Sequence, residues 1–88
     1  MTYRDEFDRI VREHGPWTAD TFVLPDGTLT RPGMTPGPDP RVDLVLDTAA
    51  RLIPRPLSSL RILDVGCCEG GISIGLAQAG AAEVVGVD

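Results

Sequence analysis

From Thr2 to Glu13 the apolar residues Tyr3, Phe7, Ile10 and Val11 recur at spacings of four, three and one, with arginines and acids between them. That spacing puts them on one face of a helix. Gly15-Pro16 closes it, because glycine suits the position just past the last turn and proline cannot continue the helix. Asp39-Pro40 opens a second helix: the aspartate can cap free amides, and proline fits the first helical position. Val42, Val45, Leu46, Ala49, Leu52 and Ile53 form its apolar stripe, and Pro54 ends it. After a link from Arg55 to Ser59 the period changes. Leu60 to Val65 reads as a strand, Gly70 to about Ala79 as a helix of small residues, and Glu83 to Val87 as a second strand. A β-α-β unit therefore begins near Leu60.

Between the two N-terminal helices, Thr21-Phe-Val-Leu-Pro-Asp-Gly-Thr-Leu-Thr30 holds two short β-prone runs around Asp26-Gly27, which is a hairpin signal. Arg31-Pro-Gly-Met-Thr-Pro-Gly-Pro38 is turn after turn. A stretch of this length without regular structure is more often a lid or binding segment than a connector. The expected organisation is a helical and loop lead-in over residues 1–59, followed over 60–88 by the start of a cofactor-binding α/β domain.

Composition narrows the function classes. Eighty-eight residues with 42% hydrophobic and 24% charged content describe one small globular unit, while eight prolines and ten glycines account for the loops. A chain this short buries only about 60–65% of its unfolded surface. The net charge is −5, and the eight basic residues, all arginine, are scattered, which argues against non-specific nucleic-acid binding. Met1 is followed by Thr-Tyr-Arg-Asp-Glu rather than by a signal-peptide core, and no run approaches a membrane span. The expectation is a soluble, cytoplasmic protein. Cys67 and Cys68 are sequence neighbours, about 3.8 Å apart at Cα, closer than the usual disulfide separation, and are read as free thiols. No metal-ligand spacing or nearby histidine surrounds them.

The residues with chemical content gather after the first strand. Arg61 to Val65 carries Asp64 and Gly66 to a strand C-terminus, the edge where open parallel sheets bind ligands. Gly66 lets the backbone turn without a Cβ clash, and Gly70 and Gly71 let the helix start lie close to a ligand. Asp88 ends the second strand, 24 residues after Asp64, an offset that fits a β-α-β unit delivering an acid to a ribose.

On these residues the chain resembles the class I S-adenosylmethionine-dependent methyltransferases. Their first motif reads apolar-apolar-acid-apolar-Gly-x-Gly-x-Gly, and Ile62-Leu63-Asp64-Val65-Gly66-Cys67 and Gly70 match it, with Cys68 standing where the second glycine belongs. Val84-Val-Gly-Val-Asp88 resembles the family's second motif, in which a strand-end acid accepts hydrogen bonds from the ribose hydroxyls. The resemblance covers residues 60–88. It implies a doubly wound, Rossmann-like sheet of which this chain holds the first β-α-β unit, and S-adenosyl-L-methionine as cofactor. It also implies that Gly66, Cys67, Cys68 and Gly70 shape the methionine side, with Asp64 supporting the ammonium directly or through water and Asp88 holding the ribose. Glu69 joins this set, although a carboxylate beside a helix N-terminus is favoured by the helix dipole in any case.

Plainer readings stand beside these. Asp64 could simply steady its own turn, and Asp88 could be a solvated strand-end acid. His14 suits the last carbonyls of its helix, and Trp17 and Phe22 suit packing. The rival function is a nicotinamide- or flavin-binding Rossmann unit, read as Gly66-x-Cys68-x-x-Gly71. It places a cysteine where a pyrophosphate must be admitted and an acid where it would be repelled. A non-catalytic module that keeps the fold for protein interaction is the third reading. Two parallel strands cannot complete the usual sheet, so the chain is expected to be the N-terminal part of a methyltransferase, inactive alone. Its catalytic and acceptor residues would follow Asp88. The expected acceptor is a small molecule rather than nucleic acid, with no membrane partner.

Overall fold

A computed structural model describes every residue except Pro38, so the last position of the turn-rich 31–38 segment lies outside the described residues. The chain forms two compact units, Met1–Gly37 and a second that runs to Asp88.

The first unit is built on helix α1, Tyr3–His14. Thr2 caps it reciprocally: its hydroxyl accepts the Asp5 amide at 3.1 Å, and the Asp5 carboxylate accepts the Thr2 amide at 3.0 Å. These bonds, that to the Thr2 backbone first, hold the Asp5 carboxyl below its usual range. Gly15 terminates the helix at φ +88°, its amide donating to the Val11 carbonyl at 2.9 Å. Phe7 is the buried residue of the apolar face, and Trp17 stacks on it with ring centroids 5.5 Å apart. His14 lies exposed in the last turn, 3.7 Å from Glu13. The hairpin is a minimal one, bridged at Val23 and Leu29. Leu24–Gly27 makes the turn with Pro25 at its second position, the Gly27 amide donating to the Leu24 carbonyl at 2.8 Å and Gly27 at φ +87°. Thr30 is buried and accepts the Phe22 amide at 2.9 Å.

The second unit starts with α2, Pro40–Leu52, whose N-cap Asp39 accepts the Arg41 amide at 2.9 Å. A short 3₁₀ turn at Leu57–Ser59 leads into β1, Arg61–Val65. Helix α3, Gly71–Gln78, and β2, Glu83–Val87, follow. The strands pair in parallel, with Arg61 opposite Glu83 and Val65 opposite Val87. The architecture is a small α/β unit with a β-α-β crossover, the arrangement from which doubly wound sheets are assembled.

Packing is uneven. Val42 of α2, Leu60 before β1 and Leu76 of α3 are the buried apolar residues of this unit. The expected α2 stripe is covered only in part: Leu46 and Ala49 are half-buried, whereas Leu52 is 75% exposed. The reason is length, since α3 has eight residues, about 12 Å, against thirteen in α2. On the sheet, Ile62, Asp64 and Val84 are half-buried, while Leu63, Val65, Val85 and Val87 are exposed. Parallel sheets ordinarily have both faces covered, so these strands have the composition of a larger α/β sheet.

At Gly75 α3 approaches Val42 of α2 closely. A Cβ there would lie 2.5 Å from Cγ2 of Val42. Alanine favours a helix interior over glycine by about 1 kcal/mol, but overpacking costs about 1–3 kcal/mol. Gly75→Ala is therefore expected to destabilise the chain in urea unfolding, and Val42→Ala added to it should recover part of the loss.

Candidate functional site

The site is the turn between β1 and α3 and its attachment to the end of β2. Parallel pairing brings both strand C-termini to one edge, and the ladder continues beyond the last paired residues. The Val87 carbonyl accepts the Gly66 amide at 2.7 Å and the Cys67 amide at 2.9 Å. The Cys68 amide donates to Oδ1 of Asp88 at 3.3 Å, and the Gly70 amide turns back to the Cys67 carbonyl at 2.9 Å. Four amides of the turn are thus engaged by protein acceptors.

The backbone alternates. Gly66, Cys68 and Gly70 have φ of +77°, +55° and +89°. Cys68 is the one non-glycine with positive φ among the described residues. An L-residue in this left-handed region carries about 1–2 kcal/mol of strain, so Cys68 holds a backbone shape for which glycine is suited.

Asp64 stands on the half-buried face of β1, and its Oδ2 accepts the Ser73 hydroxyl of α3 at 2.7 Å. Opposite it in register is Gly86. A Cβ on Gly86 would lie 2.9 Å from both Cys67 Sγ and Ser73 Oγ. The bare glycine therefore leaves room for the thiol and the hydroxyl beside Asp64. Burial, then the charges of Asp88 and Asp64, push the Cys67 thiol above its usual range. Cys68 is exposed, and both cysteines are free thiols. Glu69 is half-buried on the turn. Neither Asp64 nor Asp88 is in an ion pair among the described residues, so the edge carries uncompensated negative charge.

All seven residues singled out by the sequence thus lie in or beside this turn: Asp64 and Asp88 at the strand ends, with Gly66, Cys67, Cys68, Glu69 and Gly70 between β1 and α3. Ser73 and Gly86 escaped the sequence reading. An isolated glycine inside a strand signals close approach of a neighbouring group, and that signal was present at Gly86. A serine three residues into a helix has no comparable mark.

Two concavities lie away from this turn. One of about 730 Å³ is lined by Met1, Thr2, Tyr3, Glu6 and Asp26 of the first unit. Another, of about 270 Å³, lies toward the N-terminal ends of the strands, at Arg61, Ile62, Leu63, Glu83 and Val85. Among the described residues no group of three or more histidine, cysteine or carboxylate side chains is placed to hold a metal, and no helix is long and apolar enough to cross a membrane. Comparison with protein-family models, curated proteins and solved structures finds no match to this chain.

Two outcomes follow from the turn. Cys68→Gly should raise stability by about 0.5–1 kcal/mol, the relieved strain less the added entropy of the unfolded chain, measured by denaturant unfolding. In that variant Cys67 is the sole thiol. Adding Asp88→Asn should lower the Cys67 pKa and speed its alkylation by iodoacetamide at mildly alkaline pH. The rate should stay below that of the urea-unfolded chain, because burial is the larger cause of the shift.

Proposed function

We propose that this chain supplies the cofactor end of a class I S-adenosylmethionine-dependent methyltransferase site. Asp64 takes the ammonium of S-adenosyl-L-methionine directly or through water, Gly66, Cys67, Cys68, Glu69 and Gly70 border its methionine part, and Asp88 accepts the ribose hydroxyls. The observation that carries this reading is a turn whose Gly66, Cys67, Cys68 and Gly70 amides are already engaged, flanked by two carboxylates without cationic partners.

A diphosphate is held by backbone N–H donors and positive potential. Four amides of the turn are already committed and its two carboxylates give the opposite potential, which counts against the nicotinamide or flavin alternative. An ammonium and a sulfonium are favoured by the same charges. S-adenosylmethionine brings an already activated methyl, so the acceleration comes from orienting an acceptor against it, and this chain's part is to bind and hold. The proposed acceptor is a small molecule and the proposed compartment the cytoplasm, where free cysteines stay reduced. The exposed face formed by Leu63, Val65, Val85 and Val87 favours a second reading, a non-catalytic module that uses the fold for protein interaction.

Calorimetry on the full chain with S-adenosylmethionine, S-adenosylhomocysteine and NAD separates these readings. Binding of the first two and not of NAD is expected; NAD binding with no response to the others would reject the methyl-donor site. Asp88→Ala is expected to weaken S-adenosylhomocysteine binding by about 1–3 kcal/mol, the range for a charge-assisted hydrogen bond. Unchanged affinity would remove Asp88 from the ribose.

A further inference from the structure

We infer that Ser73 is a positioning residue for Asp64, and that Gly86 exists as glycine to let it act; the inference rests on the cofactor reading above. Ser73 lies in the first turn of α3, and its hydroxyl donates to Oδ2 of Asp64 at 2.7 Å. A half-buried carboxylate has several rotamers open to it, and a fixed donor from the covering helix selects one. With Oδ2 committed to Ser73, the whole of Oδ1 is left to accept from a ligand at the strand edge.

The space for this arrangement comes from the neighbouring strand. Gly86 is paired with Asp64 in the sheet, and any side chain there would begin 2.9 Å from the Ser73 hydroxyl and 2.9 Å from Cys67 Sγ. A larger residue would push the serine away from Asp64 or lift the turn at Cys67. Three elements therefore converge on one acid: β1 carries it, α3 orients it and β2 leaves room. Asp64 and Asp88 both act on the Cys67 thiol, and among the described residues Asp64 is in no ion pair.

The part of the ligand read by this assembly is the amino-acid end of the cofactor, so two ligands differing only there test it. S-adenosylhomocysteine carries the ammonium. Methylthioadenosine keeps the adenosine and sulfur but lacks it. Titrations followed by two-dimensional amide NMR, which registers weak binding, would compare the unsubstituted full chain with Ser73→Ala, Asp64→Ala and the double variant.

Ser73→Ala is expected to weaken S-adenosylhomocysteine about three- to tenfold, the size of one hydrogen bond, and to leave methylthioadenosine within about twofold. In the Asp64→Ala background the serine substitution should add nothing, since its effect passes through the acid. Equal weakening of both ligands, or a full additional loss without Asp64, would make Ser73 merely structural and overturn the inference. So would equal affinity of the unsubstituted chain for the two ligands, because the ammonium would then go unread. Failure of the unsubstituted chain to bind either ligand is a separate result: it rejects the cofactor reading itself.

Discussion

The Val87 carbonyl accepts two amides, from Gly66 and from Cys67, and the organisation of the strand edge depends on that fork. It extends the β1–β2 ladder past its last pair, so the chain leaving β1 cannot swing freely toward solvent. Once Gly66 and Cys67 are held there, the Cys68 amide comes within reach of the Asp88 carboxylate and the Gly70 amide returns to the Cys67 carbonyl. Each bond is worth only about 0.5–1.5 kcal/mol net, but together they pin a five-residue turn in which Gly66, Cys68 and Gly70 have positive φ, leaving few other shapes for it. The strain at Cys68 is sustained by this over-determination.

The electrostatics follow from the same geometry. Adjacent parallel strands end at the same edge, so acids near their ends are brought together whether or not that is comfortable. Several carboxylates elsewhere in the chain are answered by arginines, as Glu83 is by Arg61 at 2.8 Å and Asp47 by Arg51 at 2.9 Å. Asp64 and Asp88 are answered instead by neutral donors, a serine hydroxyl and a backbone amide. Neutral donors orient a carboxylate without cancelling its charge. Burial first, and then these two negative charges, push the Cys67 thiol above its usual range.

Most of the element order was legible in the sequence because the punctuation was local: Thr2 and Asp39 as caps, Gly15 and Pro54 as stops, and the shift from helical to strand period near Leu60. The hairpin was legible as a turn but not as a single bridge, since how far a ladder extends depends on partners rather than on the turn itself. The α2 stripe was over-read at Leu52 because periodicity marks an apolar face but not the length of what covers it. In the site, Cys68 looked like a break in a glycine pattern. Its φ of +55° means that the backbone keeps the glycine shape while the side chain departs from it. The Ser73–Asp64 bond could not be read at all: it joins residues nine apart through the packing of a helix on a strand, and only the sheet register determines which helical residue meets which strand residue.

Strand alternation also divides the sheet into two faces with different duties. Ile62, Asp64, Val84 and Gly86 share one parity and lie with α3, while Leu63, Val65, Val85 and Val87 share the other and are largely exposed. Full burial of such side chains is worth about 1.5–3 kcal/mol each, so an element laid over that second face would add several kcal/mol to strands that now rest on a small core. That gain would reach the site without altering its contacts, because the covering element would touch none of Asp64, Ser73 or Gly86. It would instead stiffen β2, and through the Val87 carbonyl the turn fastened to it. Such a cover would couple stability to the shape of the turn through the backbone, with the side chains of one face supplying the energy and those of the other holding the geometry.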